Sequence, residues 1–385
     1  MQRAQIPPQL RVPDPKSIES IRPSYITAFL QNFTKRPDLK VKDCTYTAIK
    51  SGLISGMTSG VLRVHLCYEG KTDPEWPRTL ILKANPSDET IYKHMLAGAK
   101  QHGLGSLLPL MPNMGFSFRE IMSYRYLSNY APINMPSVYH SIQDEPGDRL
   151  WLFLEDLSGL DMLDAWDDPS RWEDIKLDIV MRDLATFHAT WWNRTGEWNE
   201  HSWLIRSDPP SWQKYVRAAL EVNIETHPHY VTPARLPTLK KIVNTYPRIF
   251  NELRQQPQTL IHGDCTPRNA CLRFSPGGPK FVLYDWALTS IRPPQQDLAK
   301  FLLFVFDPKT GMGRIRSFID VYLDYLQSCL QTTVNRESFH RGFDMACFYY
   351  LTVYLTVCAW RPEAKDTKWL FHEFENRLRF MEIMV

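Results

Sequence analysis

The sequence predicts an α+β chain of two lobes, the first small and rich in strands, the second larger and helical. Three observations carry this reading. Short alternating or β-branched runs dominate residues 44–154, helical periodicity dominates after Glu155, and the connector "LEDLSG" lies between them. At 385 residues each lobe can bury its own core. The expected boundaries are 1–40 for an N-terminal arm and first helix, 41–155 for the N-lobe and 156–385 for the C-lobe, with a cleft between the lobes.

The elements follow in order. "QIPPQLRVPDP" reads as an extended arm. Cys44–Lys50 is rich in Thr and Tyr, Val61–Tyr68 alternates, and Thr79–Lys83 is a short apolar run, so three strands are expected. Ser87–Lys100, with Ser87 as N-cap, and Ser117–Tyr130 read as helices. Ser137–Ile142 and Leu150–Leu154 form a strand pair around the turn "QDEPGD". The second half predicts helices at Arg171–Trp191, Pro237–Gln255, Leu298–Phe304, Arg316–Leu330 and Phe339–Ala359, interrupted by short strands within 258–285. No repeat of fixed period is present.

Composition narrows the function classes. A net charge of +3 gives no reason to expect nucleic acid or an anionic membrane as partner. Seven Cys without a paired C-x-x-C argue against a disulfide framework and against zinc; Cys347 and Cys358 read as small hydrophobes. The uncharged run Met345–Trp360 is shorter than the ~20 residues a membrane span needs and reads as a buried helix. No signal peptide is visible, and a soluble, cytoplasmic protein is expected. Oligomeric state is left open.

The chemistry lies in "LIHGDCTPRNACLRF", residues 260–274, and "FVLYDWA", which ends an apolar strand on Asp285. The interval between Asp264 and Asp285 accommodates a loop, a strand, a Gly-Pro turn and a second strand. Asp264, Asn269 and Asp285 are therefore expected at one end of a hairpin. Two carboxylates and an amide oxygen suit a hard divalent cation, above all Mg²⁺. A base Asp, an Asn on metal and an Asp on the phosphate-bridging metal is the division of labour of kinase-type phosphoryl transfer.

"IHGDCTPRN" followed by "LYDWA" resembles the aminoglycoside phosphotransferase and choline kinase group of small-molecule kinases. The likeness is carried by 258–300 and extends over the chain from about residue 45. It implies a bilobal protein-kinase-like fold with the active site in the cleft, and ATP and Mg²⁺ as cofactors. It implies Asp264 as base and Asn269 and Asp285 as metal ligands, acting on a small-molecule hydroxyl. Thr266 stands where protein kinases carry Lys, and no Phe-Gly follows Asp285; both differences favour a small-molecule kinase.

The same resemblance assigns the nucleotide-binding parts of the N-lobe. Lys83 in "LILKANP" would meet the α/β-phosphates; as a lone residue it reads rather as a solvated strand end. Glu120 in "FREIMSYRYL" is the expected partner of Lys83, with Glu89 as the alternative. Ser55, Gly56 and Ser59 of "SGMTSG" would cover the phosphates, or form a plain hairpin turn, since the G-x-G-x-x-G spacing is missing. Main-chain groups near Leu154, Glu155, Asp156 and Leu157 would meet adenine.

Asp297 in "RPPQQDLAKFL" reads as an N-cap or, by the resemblance, a brace for the catalytic loop. His262 reads as a brace too, His188 reads as core, and Trp191 and Trp192 read as core or as the lining of a substrate pocket. Asp161, Asp164, Asp167 and Asp168 offer a surface for a cationic substrate, but Asp161 and Asp164 also suit a solvated first turn of helix, which is the favoured reading. "EGKT" resembles a P-loop ending but lacks the upstream Gly and the following helix. Two readings of different class remain: a phosphotransferase, and a kinase-fold binding protein without phosphoryl transfer, regulatory or repurposed for other chemistry. The acceptor is not legible.

Overall fold

The computed structural model describes residues 17–49, 60–70, 72–85, 93, 100–101, 103, 105, 115–128, 130–143, 150–162, 168–206, 212–307, 311–359, 361, 363 and 367–384. The chain forms two compact units, residues 1–89 with 136–159, and residues 90–135 with 160–385. Most of the helix expected over Ser87–Lys100, including Glu89, lies outside the described residues.

The first unit opens with helix α1 (Pro23–Thr34), whose Pro sits at N1, where its missing N–H costs nothing. Strands β1 (Val41–Ala48), β2 (Gly60–Tyr68), β3 (Thr79–Asn85), β4 (Val138–Gln143) and β5 (Leu150–Glu155) follow. They make one sheet in the order β1-β2-β3-β5-β4, antiparallel at every pairing. One face packs on α1: Val64, Leu66, Leu80, Leu82 and Phe153 meet Tyr25, Ile26, Phe29 and Leu30. Phe29 stacks on His140 at 5.2 Å between centroids, and the Tyr25 hydroxyl bonds His140 at 2.8 Å. Strand periodicity then decides where Lys83 points. Leu80, Leu82 and Ala84 are buried on the core face, so Lys83 belongs to the opposite face of β3.

The second unit begins with α2 (Phe116–Leu127). It packs on the 3₁₀ turn Trp286–Leu288, because the buried Arg119 donates to the carbonyls of Trp203 and Ala287 and Ser123 bonds Thr289 at 2.8 Å. Then come β6 (Asp161–Met162), α3 (Asp174–Thr190), α4 (Trp212–Thr226), α5 (Leu236–Gln255), β7 (Thr259–Ile261), β8 (Ala270–Arg273), β9 (Lys280–Leu283), β10 (Ser290–Arg292), α6 (Gln295–Val305), α7 (Met312–Cys329), α8 (Arg336–Cys358) and α9 (Lys368–Met384). The strands form a β6-β8-β9 sheet and a β10-β7 pair. α8 is capped by Asn335, which accepts from Ser338 N–H at 2.8 Å. It packs against α4, α5, α6 and α9, so the uncharged run Met345–Trp360 lies largely in a helix inside this unit. No described helix is long and apolar enough to cross a membrane. None of the seven Cys forms a disulfide, and four of them are buried.

Two expectations are revised. Asp161 is not in a helical turn: it lies in β6 opposite Leu272, and its carboxylate bonds Lys176 at 2.9 Å. Asp168 accepts from Ser170 N–H at 3.2 Å, while Asp164 and Asp167 lie outside the described residues. Helices α4 and α9 are additional to the expected set. In α4 the buried Trp212, Tyr215, Val216, Ala219, Leu220 and Asn223 follow helical spacing. In α9 the inward face carries Glu373, Asn376 and Arg377, which hides the apolar period.

Candidate active site

β8 and β9 pair Ala270 with Leu283, and just beyond that pair Tyr284 N–H donates to Asn269 O at 3.0 Å. Asn269 and Asp285 therefore stand at one end of the hairpin. Asn269 closes a 3₁₀ turn, Pro267–Asn269, and turns back on Asp264. Its Nδ2 donates to Asp264 O at 3.0 Å and to Asp264 Oδ2 at 2.8 Å. With Nδ2 committed in this way, Oδ1 is the ligand atom that Asn269 offers. Asp285 sits at φ 63°, ψ 63°, a left-handed conformation that Asp tolerates better than most residues and that often marks a functional site. Its N–H donates to the Tyr124 hydroxyl at 3.4 Å. The three residues converge as the hairpin argument requires.

The loop before Asp264 is held from several sides. Asp297, fully buried, accepts the His262 N–H at 2.8 Å and the Gly263 N–H at 2.9 Å. Asp297 is thus no N-cap: Pro294 occupies that position of α6, and the Asp297 carboxylate serves the loop instead. His188, which reads as plain core in the sequence, stands behind it, with Nε2 at 3.3 Å from Asp297 and Nδ1 at 2.9 Å from the Tyr322 hydroxyl. Gly263 has φ +80°, and a Cβ there would lie 2.1 Å from Leu288 O, so no other residue fits without moving the backbone.

His262 uses both ring nitrogens. Nδ1 accepts from Asp264 N–H at 3.2 Å, which leaves Nε2 to donate to Tyr284 O at 3.0 Å. The ring is therefore a neutral tautomer joining the loop to the strand that delivers Asp285. Burial lowers its pKa, against the opposing pull of Asp297, Asp264 and Asp285.

Asp264 keeps about a third of its side chain accessible, 30%. Burial pushes its carboxyl up, but the Lys300 ammonium on Oδ1 and the Asn269 amide outweigh that and hold it below the usual carboxylate range. Lys300 is absent from the expected set. The signal that marks it is its place: it is the one cation of α6, three residues after Asp297 and just before the apolar run Phe301–Val305.

Glu120 is buried on α2, one turn before Tyr124. Burial, then the Glu120 and Asp285 charges, push the Tyr124 phenol up. Lys83 lies in the first unit on β3, and the connector residues belong to the same unit. There Glu155 N–H already donates to Ser137 O at 2.9 Å, and Glu155 Oε2 accepts from Ser137 N–H at 3.0 Å. The Asp156 carboxylate takes Arg63 Nε at 2.6 Å and Ser158 N–H at 3.0 Å, and Leu157 is buried. The side chains of Glu155 and Asp156 are therefore structural, and the adenine reading rests on the backbone of Asp156 and Leu157. Ser55, Gly56 and Ser59 lie outside the described residues.

The donor set suits Mg²⁺. Among the described residues no three His, Cys, Asp or Glu side chains form a cage, and the hairpin end offers one carboxylate and one amide oxygen beside Asp264. A small hard cation that keeps waters and phosphate oxygens as its other ligands needs no more from the protein.

An antiparallel sheet unit and a helical unit that carries this hairpin make a kinase-like fold, α+β in class. The chain belongs to the phosphotransferase enzyme family, whose profile matches residues 117–330. The GDP complex of wild-type aminoglycoside 2'-phosphotransferase-IIIa superposes with a TM-score of 0.55 at 12% identity, covering 95% of this chain and 100% of that one. The GDP and kanamycin complex of APH(2")-IIia gives 0.53 at 12%, covering 91% and 96%. A putative aminoglycoside phosphotransferase from Ralstonia eutropha JMP134 gives 0.52 at 12%, covering 93% and 97%. At that identity the likeness is one of fold. No curated protein matches the sequence significantly.

Proposed function

We propose that the protein transfers the γ-phosphoryl group of ATP to a hydroxyl of a small-molecule acceptor, with Asp264 as base. The observation that carries this reading is the bond of Asn269 Nδ2 to Asp264 Oδ2 at 2.8 Å beside the Asp285 end of the same hairpin. Asp264 accepts the acceptor's hydroxyl proton as the oxygen bonds to phosphorus and the bond to the leaving nucleoside diphosphate breaks. Asn269 Oδ1 and the Asp285 carboxylate hold Mg²⁺, which neutralises phosphate charge when bound. His262, Gly263 and Asp297 keep the base in place. Lys83 meets the α/β-phosphates, Glu120 steadies it, and the Asp156–Leu157 backbone receives the adenine. Ser55, Gly56 and Ser59 complete this assignment as the loop over the phosphates.

Two of the fold neighbours are GDP complexes, so ATP and GTP are the donors to compare. The acceptor screen covers amino alcohols, aminoglycosides, nucleosides and sugar-like metabolites, read as a mass increase or by ³²P transfer. Asp264→Asn is expected to keep the thermal shift with Mg-nucleotide and to lose about 10²- to 10⁴-fold in turnover, the usual worth of a positioned base. Wild-type turnover in that variant, with the proper acceptor, would remove Asp264 from the role. A protein that shifts with nucleotide yet transfers phosphate to no acceptor would be a binding module instead.

A further inference from the structure

Helix α6 is buried at every position, and a chain that only needed to fill this space would place an apolar residue at 300. Instead it buries Lys300, whose residue is 7% exposed. Its Nζ bonds Asp264 Oδ1, and the Tyr350 ring lies beneath the ammonium at 5.2 Å. The Tyr350 hydroxyl donates to Gly263 O at 3.4 Å, so the same aromatic side chain touches both the cation and the loop. One helical turn earlier, on the same side of α6, Asp297 holds the loop's backbone N–H groups at 2.8 and 2.9 Å.

A partly buried ion pair is a poor source of stability against a well-packed apolar residue, because desolvation offsets most of the attraction. Its geometry supplies a different use. Asn269 takes Oδ2 of Asp264 and Lys300 takes Oδ1, so the carboxylate is gripped at both oxygens and cannot turn about its Cβ–Cγ bond.

We propose that Lys300 is a positioning residue for Asp264: from α6 it locks the carboxylate in the one orientation in which a hydroxyl acceptor meets a fixed oxygen. This rests on the phosphotransfer reading. It goes beyond it in assigning a residue outside the loop and outside the hairpin. Lys300 acts through Asp264, in concert with Asp297 on the same helix, so loop backbone and carboxylate are set by one rigid element. A misplaced catalytic group costs rate far more than it costs binding.

The experiment uses the full chain with two readouts. The first is phosphate release from MgATP with water as acceptor. Lys300→Met is expected to lower kcat about 100-fold with KM for MgATP within about threefold, and Lys300→Arg to regain about tenfold of the loss. Lys300→Gln serves in the same way if the Met variant does not fold. The second readout is thermal melting in EDTA without nucleotide, for Lys300→Met, Asp264→Asn and the double variant. The double variant should melt several degrees higher than the sum of the two single losses, since each single leaves a charge without its partner. A kcat for Lys300→Met within about twofold of wild type, or additive melting losses, overturns the proposal. If the wild-type protein releases no more phosphate than Asp264→Asn, the phosphotransfer reading fails by itself. The melting cycle then decides the pairing alone: non-additivity supports it and additivity overturns it.

Discussion

Replacing Asp297 tests how much of the loop around Asp264 is held by a single carboxylate. Asp297 is fully buried, with Oδ2 at 2.8 Å from His262 N and Oδ1 at 2.9 Å from Gly263 N. Hydrogen bonds to a charged acceptor contribute about 1.5 to 3 kcal/mol each, so Asp297→Ala, which orphans both amides, costs about 3 to 6 kcal/mol. Asp297→Asn keeps the volume and one carbonyl oxygen but turns an NH₂ group toward the second amide. That variant costs about 2 to 3 kcal/mol. For a unit of this size each kcal/mol lowers the melting temperature by roughly 2 to 4 °C, so the Asn variant melts about 4 to 12 °C below wild type and the Ala variant lower still. Scanning calorimetry and urea midpoints, read on the second unit's transition, measure both. The brace argument fails if Asp297→Asn melts within about 1 °C of wild type, or if Ala is no worse than Asn.

Gly263→Ala places a Cβ 2.1 Å from Leu288 O at a residue with φ +80°, and should cost about 3 kcal/mol or more along with turnover; a urea midpoint equal to wild type would show that the loop relaxes freely. The Asp156 carboxyl, raised by burial but lowered more by its bonds to Arg63 and Ser158, lies at about 2 against the usual 3.8. Its contribution is full above the unfolded value and is lost as pH falls toward the folded one. Arg63→Met should therefore remove about 1 to 2 kcal/mol near neutral pH and flatten the acid loss, read as urea midpoints from pH ~6 to ~3. Asp285→Asn should abolish the extra thermal stabilisation that Mg²⁺ adds to ATP while leaving that of ATP alone. An unchanged Mg²⁺ increment would move the metal elsewhere.

How legible these features are depends on the range over which each is specified. The hairpin end is local: the interval from Asn269 to Asp285 and the alternation of β8 and β9 place both residues together without help from the rest of the chain. Gly263 is half legible. Its place between His262 and Asp264 marks a turn, while the carbonyl of Leu288 that forbids a side chain comes from another segment. Helix α4 carries helical spacing that the expected set omits, whereas in α9 Glu373 and Arg377 pair inside the core and erase the apolar period. Asp297 shows how a local rule misleads. An acid in the first turn of a helix reads as a cap, yet its oxygens go to amides 34 and 35 residues away.

The chain alone therefore determined the α+β architecture, the meeting of Asp264, Asn269 and Asp285 at one hairpin end, and the likeness to phosphotransferases, since each follows from short-range periodicity and from the chemistry of residues in one continuous stretch. Tertiary structure decided the setting of that triad. Lys300 and Tyr350 come to Asp264 and its loop from helices α6 and α8, and His188 on α3 backs the Asp297 carboxylate that holds the loop. Such contacts follow from how apolar faces pack, which no local spacing encodes.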